Sequence, residues 1–193
     1  MPLSFEQVWR VIEPGSILGR HKAHNLYTVI CQTLDMPGTM AEVGVYHGNT
    51  ARMMRMLAPE ADLHLYDTFK GIVQADLGYP QAHRNGEFAA SLENVKAVVG
   101  EGPHTHYHPG IFPETFHGVP LRFVHSDTDT YSGTMATLKH MIPYLFGGGI
   151  LVVDDYGWHQ CPGVTQAVDQ FLAGPHRQLG YQQDQYQMFL KMA

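Results

Sequence analysis

The sequence predicts an α/β fold: a mostly parallel, seven-stranded sheet flanked by helices, with an antiparallel hairpin at its C-terminal edge. Three observations carry that expectation. Short apolar runs alternate with segments of helical periodicity through the middle of the chain, the pattern of strand-helix-strand units. Four of those runs end abruptly, on Gly44-Val45-Tyr46-His47-Gly48, Asp67, Ser126-Asp127 and Asp154-Asp155. The last two runs, around QLGYQQ and YQMFLKM, follow each other with no helix between them, so they pair antiparallel.

Taken in order, SFEQVWRVI reads as a first helix with Ser4 at its N-cap, and a second runs from about His21 to Leu34, bounded by Pro14-Gly15 and Pro37-Gly38. Phe5 and Trp9 in the first helix fit either a subunit contact in a homodimer or core packing. MAEVGVY (40–46) is the first strand, and Gly48-Asn49-Thr50 opens a helix that stops at Pro59. DLHLYDTF (62–69) is the second strand. A Gly/Pro/His-rich loop leads to a helix over 87–98, a short strand near 104–108 and a fourth strand, LRFVHSD (121–127). YSGTMATLKHMIPYL (131–145) is a helix bent or ended by Pro143. The fifth strand lies in GGGILVVDDYGWHQ (147–160), and VTQAVDQFL (164–172) is the last helix.

With 193 residues, 44% of them hydrophobic, the chain has the interior for one domain, 1–193, in which 1–38 form a helical cap on a core of 39–193. A formal net charge of −6 with scattered Lys and Arg argues against nucleic acid and anionic membranes as partners. Cys31 and Cys161 are the two cysteines, and no signal-like start is present, so a reducing, cytoplasmic setting is expected. No apolar run reaches the roughly 18 residues of a membrane span. His104, His106 and His108 can share one face of a strand, but HPGIFPE follows and no cysteine is near, so a solvated face is expected rather than zinc.

In such a sheet, ligands sit beyond the carboxyl ends of the strands. The turn EVGVYHGNT lacks the three-glycine spacing that cradles a pyrophosphate, although Gly44 and Gly48 allow close approach. Glu42 there repels phosphate and favours a cationic end. Asp67, 23 residues after Gly44 and followed by Thr68, stands where an acid grips ribose hydroxyls. A ribose joined to a cationic amino-acid end describes S-adenosylmethionine. Asp127, Asp154 and Asp155 would repel one another unless a cation sat among them; oxygen ligands favour Mg²⁺, with Ca²⁺ or Mn²⁺ as alternatives. Both Asp154 and Asp155 can contribute only if the strand ends there. Asp129 is expected to cap the helix from Tyr131 rather than to ligate.

The segments EVGVYHGNTARMM, LHLYDTFKGI, HPGIFPETF, HSDTDTYSGTMATLKHMIPYLFGGGILVVDDYG and CPGVTQAVDQF together resemble the macrocin O-methyltransferase family, over roughly residues 40–172. The resemblance implies a Rossmann-like class I methyltransferase fold, cofactor contacts at Glu42, Gly44, Asp67 and Ser126, and metal ligation by Asp127, Asp154 and Asp155. Gly133 stands where the family tends to have Ser. The expected reaction is metal-assisted methyl transfer to a hydroxyl of a small molecule, a sugar, catechol-like compound or natural product, with Asp127 or His159 as proton acceptor and a lid over 72–86 carrying Tyr79, His83 and Arg84. The rival readings are a metal-dependent glycosyltransferase using a nucleotide sugar, suggested by D-x-D at 127–129, and a methyltransferase-like domain that binds without turnover.

Overall fold

The computed structural model describes residues 3–73, 83–175 and 179–193. Its elements are α1 (Phe5–Ile12), α2 (Arg20–Thr33), β1 (Thr39–Val43), α3 (Asn49–Leu57), β2 (Leu63–Asp67), α4 (Leu92–Val99), β3 (Thr105–Pro109), β4 (Leu121–Ser126), α5 (Tyr131–Met141), β5 (Leu145–Asp154), α6 (Pro162–Leu172), β6 (Leu179–Asp184) and β7 (Gln187–Met192). The strands form one sheet in the order β3-β2-β1-β4-β5-β7-β6. β1 to β5 are parallel, and β7 runs antiparallel to both β5 and β6. This is the predicted architecture.

Local chemistry sets the helix starts. Ser4 accepts a hydrogen bond from the Gln7 amide while the Gln7 side chain accepts from the Ser4 amide, a reciprocal cap that stabilises α1 by about 1 kcal/mol. α3 buries Thr50, Ala51, Met53, Met54 and Leu57, spaced so that one stripe faces the sheet. Two boundaries differ from expectation. The helix predicted from residue 87 starts at Leu92, capped by Ser91, because Gly86 and Phe88 take left-handed backbone in the preceding turn. α5 ends at Met141 and gives way to a 3-10 turn, Ile142–Tyr144, after which β5 begins at once. Leu145 pairs with Leu121 but Ile150 with Phe123, so the glycines at 147–149 lie in a bulge of the strand.

Each face of the sheet carries its own core. On one, Val8, Trp9, Ile12, Leu26, Ile30, Met53, Met54 and Val95 pack on Met40, Leu65, Phe123 and Val152. On the other, Leu138, Met141, Val164, Val168 and Phe171 pack on Tyr66, Leu151, Val153 and Leu190. A fully buried Leu or Ile contributes roughly 1.5–3 kcal/mol. Trp9 belongs to the first core, with Phe5 packed against it and edge-on to Tyr27, so core packing accounts for both rings. α2 is also tied to the C-terminal hairpin: Asn25 donates to Asp184 Oδ2 and Gln187 Oε1, both at 3.1 Å, and His21 contacts Asp184.

The histidines of β3 differ from the expected solvated face. His104 and His106 both contact Asp62 Oδ1, at 3.1 and 3.0 Å, and His108 pairs with His64 at 3.0 Å, so they form a half-buried ladder along the edge strand. No helix among the described residues is long and apolar enough to cross a membrane.

Candidate functional site

Strand order reverses between β1 and β4, and a cleft of about 820 Å³ opens beyond their carboxyl ends, within the usual size of small-molecule sites. Its floor depends on glycine. Gly44 has φ +85°, and a Cβ there would lie 1.9 Å from the Asp127 carbonyl oxygen. Any side chain would push the β1 loop off the end of β4. Gly48, at φ +82°, caps α3 where a Cβ would meet Val99 at 2.8 Å.

Asp67 organises that loop. Its Oδ2 accepts from the Val45 and Tyr46 amides at 2.6 and 3.0 Å, and its Oδ1 accepts from the Phe69 amide at 2.7 Å. With two acceptor sites per oxygen, Oδ2 is filled and Oδ1 keeps one lone pair for a ligand hydroxyl. The Thr68 hydroxyl is spent on the adjoining turn, donating to the Gly71 carbonyl and accepting from the Lys70 amide. Glu42 lines the inner wall, buried; its Oε1 accepts from His125 at 2.8 Å and its Oε2 has no protein partner. Burial pushes its pKa up, against the pull of His125. Ser126 is buried with its hydroxyl unpartnered, and it is Asp127 and Thr128, not Ser126, that line the cleft.

Sheet register gathers the acids. Ser126 pairs with Val153, so Asp127 and Asp154, each one residue further, stand side by side. Ligand atoms of His125, Asp127 and Asp154 lie within 4.8 Å of one another, as do those of Asp127, Asp129 and Asp155. β5 ends at Asp154, and Asp155 turns into left-handed backbone at φ +59°, which breaks the strand alternation and lets both carboxylates face inward. Asp129, also left-handed at φ +58°, is not the cap of α5. Thr130 takes that place, accepting from the Gly133 amide at 3.2 Å, and Asp129 is freed to line the cleft. Non-glycine residues in this conformation are strained and concentrate at functional sites. Gly133 suits the same turn, since a Cβ there would crowd Thr128 at 2.7 Å.

The electrostatic consequence is large. Burial, then Asp154, Asp129 and Asp155, raise the Asp127 pKa well above the carboxylate range. Asp129 is pushed up to about 8 by burial and by Asp155. Asp154 is raised by burial, and its Oδ1 has no partner. Among the described residues one cation, Lys22, hydrogen-bonds these carboxylates. Lys22, on α2, donates to Asp154 Oδ2 at 3.1 Å and to Asp155 Oδ1 at 2.6 Å. Burial opposes its charge, but Asp154 and Asp155 prevail and hold its pKa above that of ordinary lysine. In sequence Lys22 is one more polar residue in the first turn of a helix.

His159 is not brought to the site. Two tight turns after Asp155, closed by the Trp158 and Cys161 amides, carry its exposed ring to a shallow outer groove beside Pro162 and Thr165. Of the expected lid, Tyr79 lies outside the described residues. His83 does line the cleft: its Nε2 is 3.5 Å from Cys161 Sγ and its Nδ1 is 3.2 Å from Glu87. Cys161 lies under Asp129 and Asp155, its Sγ 3.7 and 3.9 Å from their carboxylate oxygens, a placement that the same turns produce. A donor set made mostly of carboxylate oxygens, with His125 the one nitrogen beside Asp127 and Asp154, together with the unpartnered Asp154 Oδ1, fits a hard divalent cation.

The chain matches the family described as macrocin-O-methyltransferase (TylF) over residues 14–179. It is 28% identical over 145 residues to the 8-demethyl-8-(2,3-dimethoxy-alpha-L-rhamnosyl)-tetracenomycin-C 4'-O-methyltransferase of Streptomyces olivaceus, covering 65% of this chain and 56% of the relative. It is also 28% identical over 158 residues to the demethyldecarbamoylnovobiocin O-methyltransferase of Streptomyces niveus, covering 72% and 60%. The chain therefore matches less than two thirds of the length of these relatives. Among solved structures, the O-methyltransferase NovP superposes with a TM-score of 0.82 at 23% identity, over 92% of this chain and 81% of that one. The MycE methyltransferase in complex with Mg, SAH and mycinamycin VI gives 0.66 at 14% identity, over 99% and 55%. These likenesses establish the fold.

Proposed function

The chain belongs to the macrocin O-methyltransferase family, and on that premise we propose that it methylates a hydroxyl of a natural-product acceptor, using S-adenosylmethionine and a divalent cation. The observation that carries the reading is the convergence of Asp127, Asp129, Asp154 and Asp155 on one cleft whose other end is the glycine loop held by Asp67. The relatives' names, a rhamnosyl-tetracenomycin 4'-O-methyltransferase among them, support a hydroxyl acceptor of natural-product type.

On this reading Asp67 Oδ1 receives a ribose hydroxyl and the unpartnered Glu42 Oε2 faces the cationic amino-acid end, with Gly44 and Gly48 permitting close approach. S-adenosylmethionine supplies an electrophilic methyl carbon on a cationic sulfur. Asp127, Asp154 and Asp155 would hold Mg²⁺, which supplies charge neutralisation and acidifies a neighbouring hydroxyl. Asp129 stands closest to a proton acceptor in role: it lines the cleft, adjoins Asp155 and is left out of α5 capping. Asp129 would take the proton of the acceptor hydroxyl, and the cleft would hold that oxygen in line with the methyl carbon, whose bond to sulfur breaks to leave the neutral thioether; most of the rate would come from that positioning.

Calorimetry with S-adenosylhomocysteine and with a nucleotide sugar, followed by methyl transfer to a panel of glycosides and phenols with and without EDTA, tests the reading. Binding of S-adenosylhomocysteine and chelator-sensitive transfer are expected, with Asp154→Ala losing transfer but keeping cofactor affinity. Binding of the nucleotide sugar alone would replace it with the glycosyltransferase reading, and full activity in EDTA would remove the cation.

A further inference from the structure

We propose a second cation site, for a thiophilic divalent metal such as Zn²⁺, formed by Cys161 Sγ, His83 Nε2 and Asp129 Oδ1. The three ligand atoms lie within 4.8 Å of one another, with sulfur 3.5 Å from the imidazole nitrogen and 3.7 Å from the carboxylate oxygen. With bonds of roughly 2.3 Å to sulfur and 2.0 Å to nitrogen or oxygen, those separations correspond to angles of roughly 110° and 120° at the metal, the tetrahedral range zinc adopts.

A second observation points the same way. His83 Nδ1 is held by Glu87 at 3.2 Å, so Nε2 is the nitrogen presented to Cys161, and a carboxylate behind a histidine is the usual support of a zinc ligand. Cys161 is buried, while His83 and Asp129 both line the cleft, which supplies an entry path and leaves a fourth position open. The mixed S, N and O donors separate this site from the neighbouring oxygen cluster: a soft ligand set selects zinc where carboxylates alone select magnesium. Binding forms a metal–sulfur bond and releases the Cys161 thiol proton to solvent.

The two sites share a border at Asp129 and Asp155. A metal on Cys161 would take Asp129 out of proton transfer and inhibit turnover. That effect rests on the methyl-transfer reading; binding itself does not.

The test is Co²⁺ added to the full chain in excess Mg²⁺, which keeps the oxygen cluster filled, followed by displacement with Zn²⁺. Wild-type protein is expected to show a thiolate-to-cobalt charge-transfer band that Zn²⁺ abolishes. Cys161→Ser, which keeps a donor toward Asp129, should lose the band, and Glu87→Gln should weaken binding about 10–100-fold. Absence of the band in wild type, or its survival in Cys161→Ser, overturns the site. Should Cys161→Ser fail to fold, His83→Ala decides: it is expected to bind at least about tenfold more weakly, and unchanged affinity there also overturns the proposal. Because these readouts are spectroscopic, they fail or succeed independently of methyl transfer.

Discussion

Replacing Lys22 by Met removes the ammonium from the acidic cluster and keeps most of the stem volume. At an effective dielectric of about 20, charges 3.1 and 2.6 Å apart attract by about 5 and 6 kcal/mol before desolvation is subtracted. Little of this is screened, since the Lys22 and Asp154 side chains are 18% and 4% exposed. Breaking a buried pair by deleting one partner costs about 3–5 kcal/mol net. The lower figure applies here, because the abandoned carboxylates can take up a proton instead. About 3 kcal/mol in a chain of this size corresponds to a fall in Tm of about 6–12 °C. Thermal melts in EDTA at pH 7 should show that fall for Lys22→Met, the difference should shrink at pH 5, and saturating Mg²⁺ should rescue the variant more than wild type. A Tm within about 1 °C of wild type in EDTA, or an equal response of both proteins to Mg²⁺, would refute the idea that Lys22 neutralises this cluster.

Three further outcomes follow from the geometry. Asp67→Ala removes acceptors from three loop amides, each such bond to a charged group being worth about 1.5–3 kcal/mol, so S-adenosylhomocysteine affinity measured by calorimetry should fall at least about tenfold, and unchanged affinity would remove Asp67 from the ribose. Gly44→Ala must adopt a left-handed backbone costing about 1–2 kcal/mol and also displace Asp127; chemical denaturation should show the loss and calorimetry the absence of cofactor binding, and wild-type values for both would contradict the close approach. His64, whose pKa burial and then its histidine neighbours His106 and His108 depress from 6.5 to about 4, is uncharged in the fold while the unfolded chain takes up its proton. Its stabilisation is therefore complete above about pH 6.5 and lost as pH falls toward 4, so His64→Gln should move the acid-unfolding midpoint to lower pH. An unmoved midpoint would contradict this.

The sheet was legible because each parallel strand announces itself twice, by an apolar run and by what ends it. Asp67, Asp127, Asp154 and Asp155 stop strands that would otherwise stay buried, so position in sequence translated directly into position at the crevice. The errors arise where backbone direction matters. Asp129 reads as a cap because Asp commonly caps helices, but Thr130 one residue later does so, and the left-handed turn between them was invisible in composition. His159 stands four residues after Asp155 yet faces outward, because sequence distance carries no direction through two tight turns. The Phe88 turn, likewise, cut the first residues from a helix whose amino acids favour one. Lys22 had no local signal at all: it reaches Asp154 across 132 residues of sequence.

Anchoring α2 on the final hairpin has a consequence for how the molecule assembles. Asn25 and Gln187, 162 positions apart, tie the helix that carries Lys22 to the hairpin, so the acidic centre is braced by contacts with a large loop-closure entropy. Contacts that span so much of the sequence slow folding. Amide exchange in α2 should thus rise and fall together with that of the hairpin, and Asn25→Ala should loosen the charge balance of the cleft without touching a single carboxylate.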